Sequence, residues 1–132
     1  MLSASRGTPT LASMSLAVLD AEQGLRDLAA RLGHAFADEE RLAVALTHRS
    51  FANERASQGD ARGGPSTYNE RLEFLGDSLL GAAAASLLFE RFPDAHEGEL
   101  TRRRSDLVCE RTLAKIAGAL GLGALLRLGR GE

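Results

Sequence analysis

Leu16, Leu19, Leu25, Leu28 and Leu32 recur at helical intervals and predict a first helix over Ser15 to Leu32. Gly24 lies inside it as a candidate break, and Gly33 is the expected stop. Ala37-Asp38-Glu39-Glu40 opens the next helix, with Asp38 as N-cap and acids in the first turn. Leu42 and Leu46 face inward, with Val44 a further candidate, and Thr47-His48-Arg49-Ser50 is expected to end this helix. Asn53 to Thr67 holds almost nothing apolar; Ser57, Gly59, Asp60, Gly63, Gly64, Pro65 and Ser66 predict a surface loop.

A long helix is then predicted from about Tyr68 to Arg91, stopped by Pro93. Its second half, Ala82 to Phe89, is almost wholly apolar, which predicts the central buried helix of the domain. Glu97-Gly98-Glu99 begins another helix with Leu100, Leu107 and Val108 turned inward. Leu113, Ile116, Ala117 and Leu120 form a last short one ending at Gly121. No segment reads as a strand. The expected fold is all-α, a helical bundle around one central buried helix.

Composition narrows this picture. A chain of 132 residues with 44% hydrophobic content supports one domain, read as 15–132, behind an N-terminal tail over 1–14 that is rich in Ser, Thr and Ala and expected to be disordered. A net charge of −2 is not that of a protein holding nucleic acid by bulk electrostatics. The single cysteine, Cys109, forms no internal disulfide, which fits a reducing, cytoplasmic setting. Nothing approaches the run of about 20 apolar residues that a membrane span requires, so no membrane partner is expected. Arginine outnumbers lysine 15 to one, which reflects genomic base composition as readily as phosphate contacts.

The candidate chemistry sits in Asn69-Glu70-Arg71-Leu72-Glu73-Phe74-Leu75-Gly76-Asp77. On a helix, Glu70, Glu73 and Asp77 fall within roughly 60° of one another, opposite Leu72, Leu75, Leu79, Ala82 and Ala83. Like charges at this spacing cost a few tenths of a kcal/mol per pair. The positions a turn after Glu73 and Asp77 hold Asp77 and Gly81, so no base is expected to relieve the charge. Hard cations such as Mg²⁺ bind one or two carboxylates plus waters and phosphate oxygens. On pattern alone, a metal site and a plain solvated face are equally good readings. Phe74, roughly 40° from Glu70, stands apart from the leucines, where a second subunit or another part of the same chain would cover it. Gly76 and Gly81 would let a backbone or partner helix approach closely.

The nine residues Asn69 to Asp77 closely resemble the signature of the ribonuclease III family, which cleaves double-stranded RNA. The likeness extends in order to Ala45-Leu46-Thr47-His48-Arg49-Ser50, Arg91-Phe92-Pro93, Glu97-Gly98-Glu99, Leu107-Val108, Thr112-Leu113-Ala114 and Leu126-Arg127-Leu128-Gly129, from about Leu25 onward. The resemblance implies a ribonuclease III endonuclease-domain-like bundle. It implies that Glu73 and Asp77 are the catalytic metal ligands, that Glu70 and Glu97 support the acidic cluster, and that Phe74 is a dimer contact. Mg²⁺ is the expected cofactor, with Mn²⁺ as a substitute. The expected partners are double-stranded RNA, recognised by shape, 2′-hydroxyls and phosphates, and a second copy in a homodimer whose two sites cut opposite strands. The expected products carry 5′-phosphates and short 3′ overhangs, as in RNA processing. The likeness assigns no RNA-binding residues. Arg102-Arg103-Arg104 are a solvated face by default and phosphate contacts on the sharper reading; Arg55 and Arg62 in the loop invite the same contact, though a surface insertion is the plainer reading. His48 belongs to the architecture rather than the chemistry.

One departure stands out. In the family a later helix adds an Asp and, three residues on, a Glu; this sequence reaches Gly131-Glu132 without them, and without a separate double-stranded-RNA-binding domain. A truncated enzyme is therefore expected, incomplete at its C-terminus. The alternatives are a non-catalytic RNA-binding or dimerisation module and an inactive fragment.

Overall fold

The computed structural model describes residues 11–59 and 64–131, with side chains from Val18 onward. Six helices follow in order: α1 (Leu11–Leu32), α2 (Glu39–Ala45), α3 (Arg49–Ser57), α4 (Glu70–Arg91), α5 (Glu97–Val108) and α6 (Glu110–Ala119), then a 3₁₀ turn at Leu122–Ala124. No strand occurs among the described residues; one isolated parallel bridge joins Thr47 to Arg127. The all-α expectation holds.

Local chemistry explains most boundaries. The stop at Gly33 is made by the N–H groups of Gly33 and His34, which reach back to the carbonyls of Ala30 and Ala29, both at 3.1 Å. Asp38 Oδ1 accepts from the backbone N–H of Glu40 at 3.1 Å and of Arg41 at 3.3 Å, capping α2 as expected. Helix α1 already includes Leu11, inside the stretch expected as tail; Leu11-Ala12-Ser13-Met14 is mostly strong helix formers without Gly or Pro. Residues 1–10 lie outside the described residues. Nor does α1 break at Gly24. A Cβ there would meet Leu125 Cδ2 at 2.7 Å, so the glycine is where the C-terminal segment closes on α1.

Two boundaries differ from expectation. Helix α2 ends at Ala45, and Thr47 to Ser50 does not finish it; instead His48, with extended backbone, N-caps α3 by accepting from the Ser50 N–H at 3.3 Å. The first part of the expected 53–67 loop is accordingly helical to Ser57. Its polar composition hid a helix that buries no residue fully. Residues 60–63, with Arg62, lie outside the described residues.

The core lies elsewhere than predicted. Leu25 and Leu28 of α1 pack with Leu42 and Leu46, joined by Phe36, Leu120, Leu122 and Leu125. The helix expected at the buried centre, α4, buries only Ala84 and Leu88, and its substantial packing is with α5. Leu79 is 60% exposed, and Leu75, Leu80, Leu87 and Phe89 are exposed with it. Periodicity identifies a face that gains by being covered, but it does not name the cover. By length and composition alone α4 would also cross a bilayer, against the expectation that no segment comes close. Glu73 and Asp77 oppose that placement, since a carboxylate such as Asp at the centre of a span costs about 2.5–3.5 kcal/mol.

A three-way junction fixes the start of α4. The Arg127 N–H donates to Leu46 O at 2.8 Å, the His48 N–H to Arg127 O at 3.0 Å, and the Asn69 N–H to Thr47 O at 2.9 Å. Thr47 is buried, and its hydroxyl donates to Ala43 O at 2.7 Å. Gly129 closes the junction, its N–H donating to Ser50 Oγ at 2.9 Å while a Cβ would lie 3.0 Å from Ser50 backbone atoms. Gly129→Ala is expected to cost about 1–3 kcal/mol by overpacking, read as a lowered urea midpoint.

Candidate active site

The first turns of α4 carry the acids. Asn69 stands at its N-cap in helical conformation without a side-chain capping bond, and its Oδ1 is buried without a donor among the described residues. Glu70 and Glu73 fall in the first turn, where the helix dipole favours anions, and Asp77 follows a turn later. Glu70, Glu73 and Asp77 are all exposed, so water screens their mutual repulsion. The stripe expected from sequence is therefore present, on the solvent side of an element whose start is pinned by backbone hydrogen bonds.

Relief of charge comes from outside the helix. Arg49 Nη1, at the start of α3, lies 3.6 Å from Glu70 Oε1. Both side chains are more than half exposed or close to it, so the pair contributes at most about 1 kcal/mol. Its effect is on position: Glu70 is held toward α3, leaving Glu73 and Asp77 as the two stripe carboxylates without a cation beside them among the described residues. Sequence spacing had no access to this contact, which joins residues 21 positions apart across the Thr47 junction.

Glu97 is placed differently. It accepts from the Thr101 hydroxyl at 2.8 Å, and it lines a small cleft with Ala85, Leu88 and Phe89 in the second half of α4. Asp77 precedes Ala85 by eight residues, about 12 Å along the helix axis. Of the three consecutive arginines on α5, Arg103 is engaged internally: it pairs with Glu99 Oε1 at 2.7 Å and stacks 4.2 Å over the Phe92 ring.

The donor set suits a hard cation in part. Two carboxylates one helical turn apart are what Mg²⁺ takes from a protein when waters and phosphate oxygens fill its other positions. No cluster of three or more His, Cys, Asp or Glu able to enclose a metal occurs among the described residues. Phe74, next to Glu73, is 80% exposed, an aromatic surface with nothing from its own chain over it among the described residues.

Comparison with known proteins agrees with the signature. Residues 38–132 match the model of the Ribonuclease-III-like family. Ribonuclease 3 of Geobacter metallireducens is 48% identical over 111 residues, covering 84% of this chain and 43% of that protein. For ribonuclease 3 of Symbiobacterium thermophilum the identity is 50% over 120 residues, covering 90% and 47%. The chain thus spans a little under half the length of these curated relatives. Among solved structures, the nuclease domain of ribonuclease III from Campylobacter jejuni, described for flexibility in its dimer-forming region, superposes with a TM-score of 0.68 at 37% identity, over 82% of this chain and 67% of that one. A 2.2 Å crystal structure of the same domain gives a TM-score of 0.66 at 37% identity, over 81% and 65%.

Proposed function

The chain belongs to the Ribonuclease-III-like family, and on that premise we propose that it is the nuclease part of a divalent-metal-dependent endoribonuclease acting on double-stranded RNA. One observation carries the reading: Glu73 and Asp77 face solvent one turn apart on an anchored helix, with Glu70 drawn aside by Arg49. Glu73 and Asp77 would hold Mg²⁺, or Mn²⁺ in its place, which when bound supplies an activated water and stabilises charge on the leaving oxygen. The chain's own contribution is to fix these two oxygen donors on a rigid element and keep their neighbour Glu70 occupied. Glu97 is proposed as a supporting acid of the same cluster. Products with 5′-phosphates and short 3′ overhangs, a role in RNA maturation and a cytoplasmic setting belong to the same proposal.

A homodimer completes it. The exposed Phe74 is the proposed contact, and truncating an aromatic hot spot at the centre of an interface costs about 2 kcal/mol or more. Phe74→Ala is expected to weaken self-association about 30-fold or more, measured by sedimentation equilibrium.

The reading is tested by incubating a labelled RNA duplex with the chain in Mg²⁺ and in chelator, alongside calorimetric titration of Mg²⁺. Cutting that requires Mg²⁺ supports it. Duplex binding and Mg²⁺ binding without cutting would instead establish a non-catalytic module. Absence of both Mg²⁺ binding and cutting would overturn the proposed function.

A further inference from the structure

We propose that a cavity between α2, α3, the Gly64–Thr67 turn and Arg127 is a phosphate-binding site, apart from the carboxylates on α4. Its volume is about 340 Å³, and its polar wall is formed by Arg55, Arg127, Ser66, Thr67 and Glu40 over an apolar floor that includes Phe51. Arg55 and Arg127 are the two arginines of this lining and Glu40 its one acidic residue.

The state of each group makes the cavity a receiver of anions. Arg127 is half-buried, and no carboxylate lies within ion-pair distance of it among the described residues. A partly desolvated guanidinium without a counter-ion gains from an anion that can take its paired N–H donors. Its main chain cannot drift away, because both of its backbone polar groups are committed to Leu46 and His48. Arg55 brings a second guanidinium from α3, 6.0 Å over the Phe51 ring. Of the hydroxyls, Thr47 and Thr67 already donate to Ala43 O and Gly64 O, both at 2.7 Å, so neither is a donor for a ligand. Ser66 has its hydroxyl unspent among the described residues, which makes it the neutral donor of the set. Donors from three separate segments surround one space, which matches the several equivalent oxygens of a phosphate better than the two of a carboxylate.

Glu40 is the opposing charge, and it makes no ion pair among the described residues. It therefore weakens anion binding and gives the proposal a second, opposite sign to test. The phosphate could come from a free nucleotide or from the backbone of an RNA; the cavity chemistry is common to both, and the assignment stands independently of the cleavage reading.

The test is a titration of the ¹⁵N-labelled full chain with inorganic phosphate at constant ionic strength, following the arginine side-chain Nε–Hε resonances by NMR. Arg127→Gln identifies its own signal, and melting by circular dichroism confirms that each variant is folded. The Arg127 and Arg55 signals are expected to move together along one saturating curve in the millimolar range. Arg127→Gln should weaken that binding at least 5-fold, and Glu40→Gln should tighten it severalfold. Shifts of all arginines in parallel without saturation, or a binding curve unchanged in Arg127→Gln, would overturn the proposal. Repeating the titration with adenosine 5′-monophosphate and with an RNA duplex in chelator separates the sources: saturable movement of Arg127 with either one supports a phosphate site and identifies its supplier, and movement with neither refutes it.

Discussion

Replacing Glu73 by Gln and Asp77 by Asn together is expected to abolish Mg²⁺-dependent duplex cleavage while leaving the fold intact. The two amides keep the shape of the side chains but cannot bind a hard cation as anions do. Loss of several kcal/mol of charge stabilisation corresponds to a fall of about 10³-fold or more in rate. Both residues are exposed, so stability should change little; removing a like-charge pair at this spacing relieves a few tenths of a kcal/mol. Initial rates on a labelled duplex and thermal melts of the same samples check both halves. A double amide variant that still cuts in Mg²⁺ and stops in chelator would move the chemistry off α4.

Leu28→Ala should be the most damaging single truncation in the described core. Leu28 is only 1% exposed and sits among Leu25, Leu42 and Leu46 at the meeting of α1 and α2. Emptying such a site costs about 3–5 kcal/mol, a large share of the roughly 5–15 kcal/mol that holds a domain together. The urea midpoint should drop with the slope unchanged. Leu79→Ala is the informative partner, because the sequence places Leu79 on the central helix and the structure leaves it exposed. Its cost should stay within about 0.5 kcal/mol. If Leu79→Ala proved as costly as Leu28→Ala, α4 would be the buried centre after all.

That contrast shows where sequence reasoning stops. The Asp38 cap, the Gly33 stop, the end of α4 before Pro93, the start of α5 at Glu97 and the acidic stripe rest on neighbours a few positions apart, and local spacing determines them. The features that eluded it are non-local. Arg127 must return to Leu46 and His48 before Thr47 can be seen as a junction, and only that junction sets Arg49 beside Glu70. Helix α3 lacks an apolar stripe, so nothing in its pattern separated it from a loop. The leucines of α4 were legible as a face and silent about their cover. Glu97 was implied beside the acids by resemblance alone; the structure shows it lining a cleft against Ala85, Leu88 and Phe89 in the second half of α4.

The stripe's role as a metal site is tested most directly by paramagnetic broadening. Substoichiometric Mn²⁺ added to the ¹⁵N-labelled chain should erase amide signals around Glu73 and Asp77 first, and Glu73→Gln with Asp77→Asn should restore them. Broadening centred elsewhere, or unchanged in the double variant, would contradict the assignment of the metal to these two carboxylates.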